Sequence, residues 1–385
     1  MKLNTTEKTI MAFSVSLILI SVLLLNSLVQ SSITKADGQV FSSSNFKVNL
    51  NIDVYGSDGA LKSSKLKEDD LVLDNFGELL RAMFKNVDGY VSTTASDFIR
   101  DSGAGTAMNV RYLEVIGFWE GQSGDDGAFI GIGTGTTTPL VSDYTLEAEV
   151  ETRNEVGDSV YSDGNVTIST SIACTGTANI TEAGLYLQDG TNNYSWMLFR
   201  DTFGTVAVVN GDSIVITYTI MLSTEFTDNF GKILAGMLSG ITDNEATKTY
   251  SLTDVDGNSI TVNYASGEAT EPVNWVFDMT GMGTPLVGIG IGTGTTSPAR
   301  ADYALETQVE AITGVTALTY NGGNCSLSSV HVTSASRAIT ETGLFMFVRA
   351  SGGVSEQILL WHDTFTAENV GDGEAITTTL QMSAN

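Results

Sequence analysis

The stretch Ile130-Gly-Ile-Gly-Thr-Gly-Thr-Thr-Thr-Pro139 returns, with one substitution, as Ile289-Gly-Ile-Gly-Thr-Gly-Thr-Thr-Ser-Pro298, 159 residues further on. The same offset relates Asp143-Tyr144 and Leu146-Glu147 to Asp302-Tyr303 and Leu305-Glu306, and Ile180-Thr-Glu-Ala-Gly-Leu185 to Ile339-Thr-Glu-Thr-Gly-Leu344. Earlier landmarks lie slightly closer, as with Asp74-Asn-Phe-Gly77 and Asp228-Asn-Phe-Gly231. Later ones lie slightly further apart, as with Asp201-Thr-Phe203 and Asp363-Thr-Phe365. Short insertions in loops between fixed elements produce such a drift. The chain therefore reads as a tandem duplication, with one module at 69–223 and a second at 224–385. An arm at 37–68 and an N-terminal segment at 1–36 precede them.

Each module is long enough to bury its own core. The 18 basic and 45 acidic residues leave a formal charge of −27, which repels phosphate backbones and anionic lipid heads, so nucleic acid and membrane surfaces are disfavoured partners. The two cysteines, Cys174 and Cys325, occupy different positions of the repeat and read as unpaired, buried thiols. Lys2 and Lys8 precede an apolar run at 10–29 that has the character of an export signal. Thr34 and Ala36 offer a cleavage site, but the run is also close to the ~20 residues that span a bilayer, so an uncleaved anchor stays open. Membrane contact is expected only there, and the rest is expected outside the cell or on its surface.

Phe46-Lys-Val-Asn-Leu-Asn-Ile-Asp-Val54 alternates apolar and polar residues without a break, the pattern of a half-buried strand. Ile214, Ile216, Tyr218, Ile220 and Leu222 alternate in the same way at the end of the first module, as do Ile376, Thr378, Leu380 and Met382 at the end of the second. Three boundary strands thus serve two modules, and Phe46, Val48, Leu50, Ile52 and Val54 are expected to form a spare strand whose apolar face needs a partner. Residues 56–70, rich in lysine, read as a linker.

Asp74 and Asp228 stand where N-caps belong, ahead of Phe76, Leu79, Leu80, Met83 and of Phe230, Ile233, Leu234, Met237, each set spaced as one face of a short helix. Tyr250 to Tyr264 predicts a hairpin turned at Asp256-Gly257, with a looser counterpart at 97–114 turned by Ser102-Gly-Ala-Gly105. Strands are further predicted at Leu146–Thr152, Val166–Cys174 and Ser326–Thr333, and hairpins at 184–200 and 343–361. The fold class is mainly β: two tandem β-sandwich modules, Ig-like or jelly-roll-like, each with one short helix.

No catalytic constellation emerges. Gly131-x-Gly133-x-Gly135 lacks the lysine and spacing of a phosphate loop and reads as a strand-ending turn whose glycines permit positive φ and close backbone approach. Asp254-Val-Asp-Gly-Asn258 places acidic groups at alternate positions but lacks the glycine placement and distal glutamate of a calcium loop, so Ca²⁺ would bind only adventitiously and no cofactor is expected. His362 takes the position of Arg200, and hairpin pairing brings Arg200 near Glu182 and His362 near Glu341 as ion pairs at the sheet rim. His331 reads as an ordinary strand residue. Asn165, Asn179, Asn193 and Asn324 each begin an N-x-Ser/Thr sequon, a possible glycan acceptor in an exported chain.

The Ile-Gly-x-Gly-Thr-Gly-Thr-Thr-x-Pro run with its following Asp-Tyr-x-Leu-Glu, and Ile-Thr-Glu-x-Gly-Leu leading to Asp-Thr-Phe, resemble modules of phage and archaeal-virus tail and fibre proteins. With an export signal and a spare N-terminal strand, the chain also resembles pilus subunits built by donor-strand complementation. These resemblances imply a non-enzymatic subunit of an extracellular filament, its partners identical copies in a head-to-tail homopolymer. The alternative they leave is a non-polymeric cell-surface adhesin or virion fibre protein that binds a ligand through its loops.

Overall fold

In the computed structural model of the protein, the alternating segment at 46–54 is the inner half of one long strand that joins the two repeats. The structure describes residues 38–68, 71–84, 98–106, 127–157, 159–189, 194–239, 248–264, 287–321, 324–349 and 355–384. The N-terminal apolar run, Asn193 and the tips of the two predicted long hairpins lie outside the described residues.

Strands β1 (Gly38–Tyr55), β2 (Leu61–Lys67) and β3 (Leu71–Val72) lead into helix α1 (Asp74–Phe84). A two-strand ladder of β4 (Phe98–Ile99) and β5 (Gly105–Thr106) follows, then β6 (Gly127–Gly133), β7 (Asn154–Glu155), β8 (Val160–Ser162) and β9 (Asn165–Ala173). The first repeat ends with β10 (Ala178–Asp189), β11 (Tyr194–Val208) and β12 (Ser213–Leu222). The second opens with α2 (Asp228–Met237), the hairpin of β13 (Lys248–Thr253) and β14 (Ser259–Tyr264), and β15 (Val287–Gly292). It continues through β16 (Thr313–Gly314), β17 (Ala317–Asn321), β18 (Asn324–Val332), β19 (Arg337–Arg349), β20 (Ser355–Val370) and β21 (Ala375–Ala384). The protein is mainly β, and its larger ladders are antiparallel apart from one pairing made by β1.

That pairing corrects the expectation of a spare strand. An eight-stranded sheet runs β17-β18-β21-β1-β12-β9-β8, with β2 joined to β1, so β1 sits between the two repeats and is hydrogen-bonded within its own chain. Its second half runs antiparallel to β12, setting Phe46, Val48, Leu50, Ile52 and Val54 against Leu222, Ile220, Tyr218, Ile216 and Ile214. Every one of these ten side chains is buried. Its first half runs parallel to β21, from Gly38 beside Ile376 to Phe46 beside Ala384. An apolar face cannot stay in water, and a single chain covers it by lending one strand to both halves.

The predicted linker at 56–70 is likewise corrected. A turn closed by Gly56 N–H to Ala60 O at 2.8 Å, with Gly59 at φ +78°, returns the chain as β2 along β1. Its lysines fasten it to the facing strands: Lys62 pairs with Asp212 at 2.6 Å, Lys65 donates to the Thr205 carbonyl at 2.7 Å, and Lys67 lies 3.8 Å from Asp201.

Two smaller sheets, β3-β11-β10-β6-β7 and β16-β15-β19-β20, face the large one. One apolar core runs from Val48 and Ile216 to Leu327 and Leu380, so it spans both repeats. The helices strengthen this merger. Helix α1 touches β17 and β18 of the second repeat, and α2 touches β8 and β9 of the first. Asp228 is the first helical residue, behind Thr227 as N-cap; its Oδ1 accepts the Tyr161 hydroxyl at 2.6 Å. Gly231 is required there, since a Cβ would overlap the Tyr161 ring.

The segment predicted as a strand at Leu146–Thr152 is irregular, with a single bridge from Glu149 to Gly133. Its N–H groups are spent on a buried carboxylate instead of a ladder, as described below. The hairpin at Asp256-Gly257 forms as predicted, Gly257 taking φ +82°.

Because β1 belongs to a core shared by both repeats, Ile52→Ala is expected to lower stability by about 2–5 kcal/mol. Urea unfolding read from Trp196 or from Trp361, in variants keeping only that one of the chain's four tryptophans, should show the same shift from both reporters.

Candidate functional site

The most elaborate polar construction in the protein is built twice, around Glu182 and Glu341, each with no exposed surface. A carboxylate can be buried as an anion only if its oxygens are met by donors or cations. Glu182 on β10 accepts the N–H groups of Gly135 at 2.9 Å, Ala148 at 2.8 Å and Glu147 at 3.1 Å. Glu341 on β19 accepts those of Gly294 and Thr307, both at 2.8 Å, and of Glu306 at 3.0 Å. The neighbouring carboxylates repeat the device at the rim: Glu147 takes the N–H groups of Thr136 and Thr137, and Glu306 those of Thr295 and Thr296. These backbone bonds hold both rim carboxyls below their ordinary values.

The duplicated Gly-Thr stretch is thus the wall of a carboxylate cage. A Cβ at Gly135 would lie 2.5 Å from Glu182 Oε1, and one at Gly294 would lie 2.7 Å from the Glu341 carboxyl. Positive φ plays no part, because none of the glycines in either stretch adopts it. Close approach, half of what was expected of them, is the whole reason. The supporting strands bend identically, with register shifts at Ile180/Glu182 and Leu185/Tyr186 in β10 and at Ile339/Glu341 and Leu344/Phe345 in β19.

The cations complete each cage. Arg200 donates from Nε and Nη2 to Glu182 at 3.1 and 3.0 Å and from Nη1 to Asp143 at 2.5 Å. In the second repeat His362 Nδ1 lies 2.7 Å from Asp302, and Nε2 lies 3.3 Å from Glu341, off the line of a good hydrogen bond, so that contact is one of charge. These are the expected pairings, but they are interior contacts and not a sheet rim: Arg200 and His362 are each 3 % exposed. Burial is the largest influence on His362 and favours its neutral form; the contacts with Glu341 and Asp302 together outweigh it and raise the pKa. Burial likewise pushes Glu341 upward, and His362 with the three N–H groups outweighs it, so that carboxyl titrates low.

A second duplicated polar anchor was not read from the sequence. Asn75 bonds Ile99 at both backbone groups and the Met197 carbonyl, while Asn229 bonds Thr253 at both and the Leu359 carbonyl. Each ties a helix start to a small hairpin and a long strand. The signal was present in the repeated Asp-Asn-Phe-Gly, where the asparagine is as constant as its apolar neighbour.

The remaining candidates fall into structural places. Asp254 accepts the N–H groups of Asp256 and Asn258 and the Asn258 amide, which closes the turn and occupies both carboxylate oxygens. Among the described residues no group of three or more His, Cys, Asp or Glu side chains could hold a metal ion. His331 is buried on β18, its Nδ1 3.2 Å from the Thr313 hydroxyl, and burial lowers its pKa to about 4. Cys174 and Cys325 are both buried, and neither is in a disulfide. Asn179 is exposed, and Asn165 is half-buried at the start of β9; Asn324 opens β18.

The two cages should respond differently to pH. His362, with its raised pKa, contributes its full stabilisation below ~6.5, the unfolded value, and loses it as pH rises through the folded value. Glu341 contributes above 4.5, its ordinary value, and loses its contribution as pH falls. His362→Arg should therefore remove the alkaline loss of stability while leaving the acid side in place, which urea midpoints measured across neutral and mildly alkaline pH will show. Arg200→Ala should cost about 3–5 kcal/mol at neutral pH, since it strands the Glu182 anion in the interior. In comparisons with protein-family models, curated proteins and solved structures, none matches this chain.

Proposed function

We propose that the protein is an exported, non-enzymatic structural subunit that assembles head to tail outside the cell, with β1 as the strand passed between copies. Support comes first from the cages. Glu182 and Glu341 are met by backbone donors and closed to solvent, an arrangement that suits a rigid structural part. The two tandem sandwich modules of the sequence reading then act as one stiff unit.

The observation that carries the assembly is the place of β1, which fills a slot between β12 and β21 and is joined by a short turn to a β2 pinned elsewhere. Against β12 it offers five apolar residues in an antiparallel ladder. Against β21 the parallel register sets Gly38, Val40, Ser42 and Ser44 beside Ile376, Thr378, Leu380 and Met382. The second repeat is thus completed by a largely small or polar segment. Since β2 is pinned to its own subunit by its lysines, opening the five-residue turn at Gly56–Ala60 would free β1 alone. A neighbour's β1 would then occupy the same slot between β12 and β21. Such an exchange repeats every cis contact and, when it does not close on itself, builds an open chain of subunits. Five apolar side chains at roughly 1.5–3 kcal/mol each suffice to hold a junction.

A second reading, a single-copy surface adhesin or virion fibre protein with ligand-binding loops, is favoured by the pairing of β1 within its own chain. Asn49 and Thr219 are register partners in neighbouring strands, at a separation that a disulfide accepts. Oxidised Asn49→Cys/Thr219→Cys protein should run as an interchain ladder on a non-reducing gel, with filaments in negative stain. A monomer band alone, with single particles in the images, would reject the exchange and leave the second reading.

A further inference from the structure

We propose that the outward face of the eight-stranded sheet is an interface that packs against the same face of a second copy of this chain. The chain carries a charge of −27, yet this face is almost neutral. Across β8, β9, β12, β17, β18, β21 and the 46–55 half of β1, the outward positions are Ser, Thr, Asn, Gln381, Tyr55 and apolar residues, with Lys47 and Asp53 as one charge of each sign. Neighbouring strands satisfy one another there: Ser169 and Thr217 hydroxyls lie 3.0 Å apart, Ser171 and Ser213 2.7 Å, and Ser328 and Thr379 3.0 Å. A face whose polar groups already pair laterally loses little when water leaves it.

Exposed large apolar side chains collect on the same face. Leu66 is 61 % exposed beside Asn51, Val160 56 % beside Thr167, and Val330 and Val332 are 42 % and 62 % exposed on β18. Val160 and the two β18 valines stand on opposite flanks of the sheet and Leu66 beside its central strand, so no small ligand would cover them together. A second sheet would. The β21 side flanks residues 38–46 of β1 and the β12 side residues 46–55, so the face is stepped: two blocks of about four strands at ~4.8 Å and about nine residues at ~3.3 Å, roughly 15 Å by 30 Å each. Their combined area, of order 900 Å², exceeds the ~800 Å² per partner of a standard interface. Charge decides the occupant in favour of a second copy. Two such acidic chains repel wherever their carboxylates meet, and among the described residues this face is a broad surface on which they can approach without that cost.

Sedimentation velocity of the full chain across a wide concentration range tests the pairing. The expected result is a reversible dimerisation that strengthens from about 0.1 M to about 1 M salt, because only repulsion is being screened. Leu66→Glu/Val330→Glu, at two exposed positions, should weaken it at least tenfold, while Leu140→Glu, equally exposed but in the Gly-Thr loop, should not. Dispersity of charge alone would affect all three substitutions alike, and a circular-dichroism melt confirms that each variant folds. A dimer of the Leu66→Glu/Val330→Glu variant as tight as that of the Leu140→Glu variant, or a chain that stays monomeric throughout, overturns the proposal. The interchain disulfide ladder reads strand exchange alone, and the salt and face-variant responses read this pairing alone, so either can fail without the other.

Discussion

An apolar strand face has to be covered, and in this protein one strand completes the ladders of both repeats over a single shared core. Phe46 to Val54 complete the apolar ladder of β12, while the same strand, eight residues earlier, begins the row beside β21. Everything larger than a single repeat follows from that sharing. The eight-stranded sheet is continuous only because β1 lies between β12 and β21, and the core beneath it is continuous for the same reason. Helices that begin one repeat and rest on the other add to the same union.

Within each repeat the governing constraint is electrostatic. A glutamate with no access to water needs donors on both oxygens, and the Gly-Thr loop bends over it to supply them. Glycine is needed where the loop passes within contact of the carboxylate, and regular strand pairing is given up where the following segment turns its N–H groups inward. The cation is the one component that the two copies have let diverge, a permanent charge at Arg200 and a titratable one at His362. That difference makes the second cage the pH-responsive half of an otherwise repeated design.

The functional reading follows from what these devices leave over. Cages closed to solvent and turns that saturate their own carboxylates suit a load-carrying role. The strand that unites the repeats is held by a short turn on one side and by noncovalent ladders elsewhere. The broad face above it is neutral in a strongly acidic chain. Exchange of the strand and pairing of the face would act along different directions, one lengthening an assembly and the other thickening it.

Much of the local architecture was legible in the sequence. The duplication, the two helices at Asp74 and Asp228, the hairpin at Asp256-Gly257, the proximity of Glu182 to Arg200 and of Glu341 to His362, and the strand at 46–54 follow from spacing and alternation, which report contacts within a few residues or across one hairpin. The glycine signature was visible as a repeat, but its cause was not, because the glutamate it accommodates lies 47 residues further on and burial is a property of the packed interior. Lys62, Lys65 and Lys67 read as a soluble linker because lysine is usually solvated; their fastening to Asp212, Thr205 and Asp201 depends on strands more than a hundred residues away. The destination of β1 was likewise beyond the sequence. Alternation shows that a strand has an apolar face and is silent on which neighbour covers it, and only the tertiary arrangement placed this one between the two repeats of its own chain.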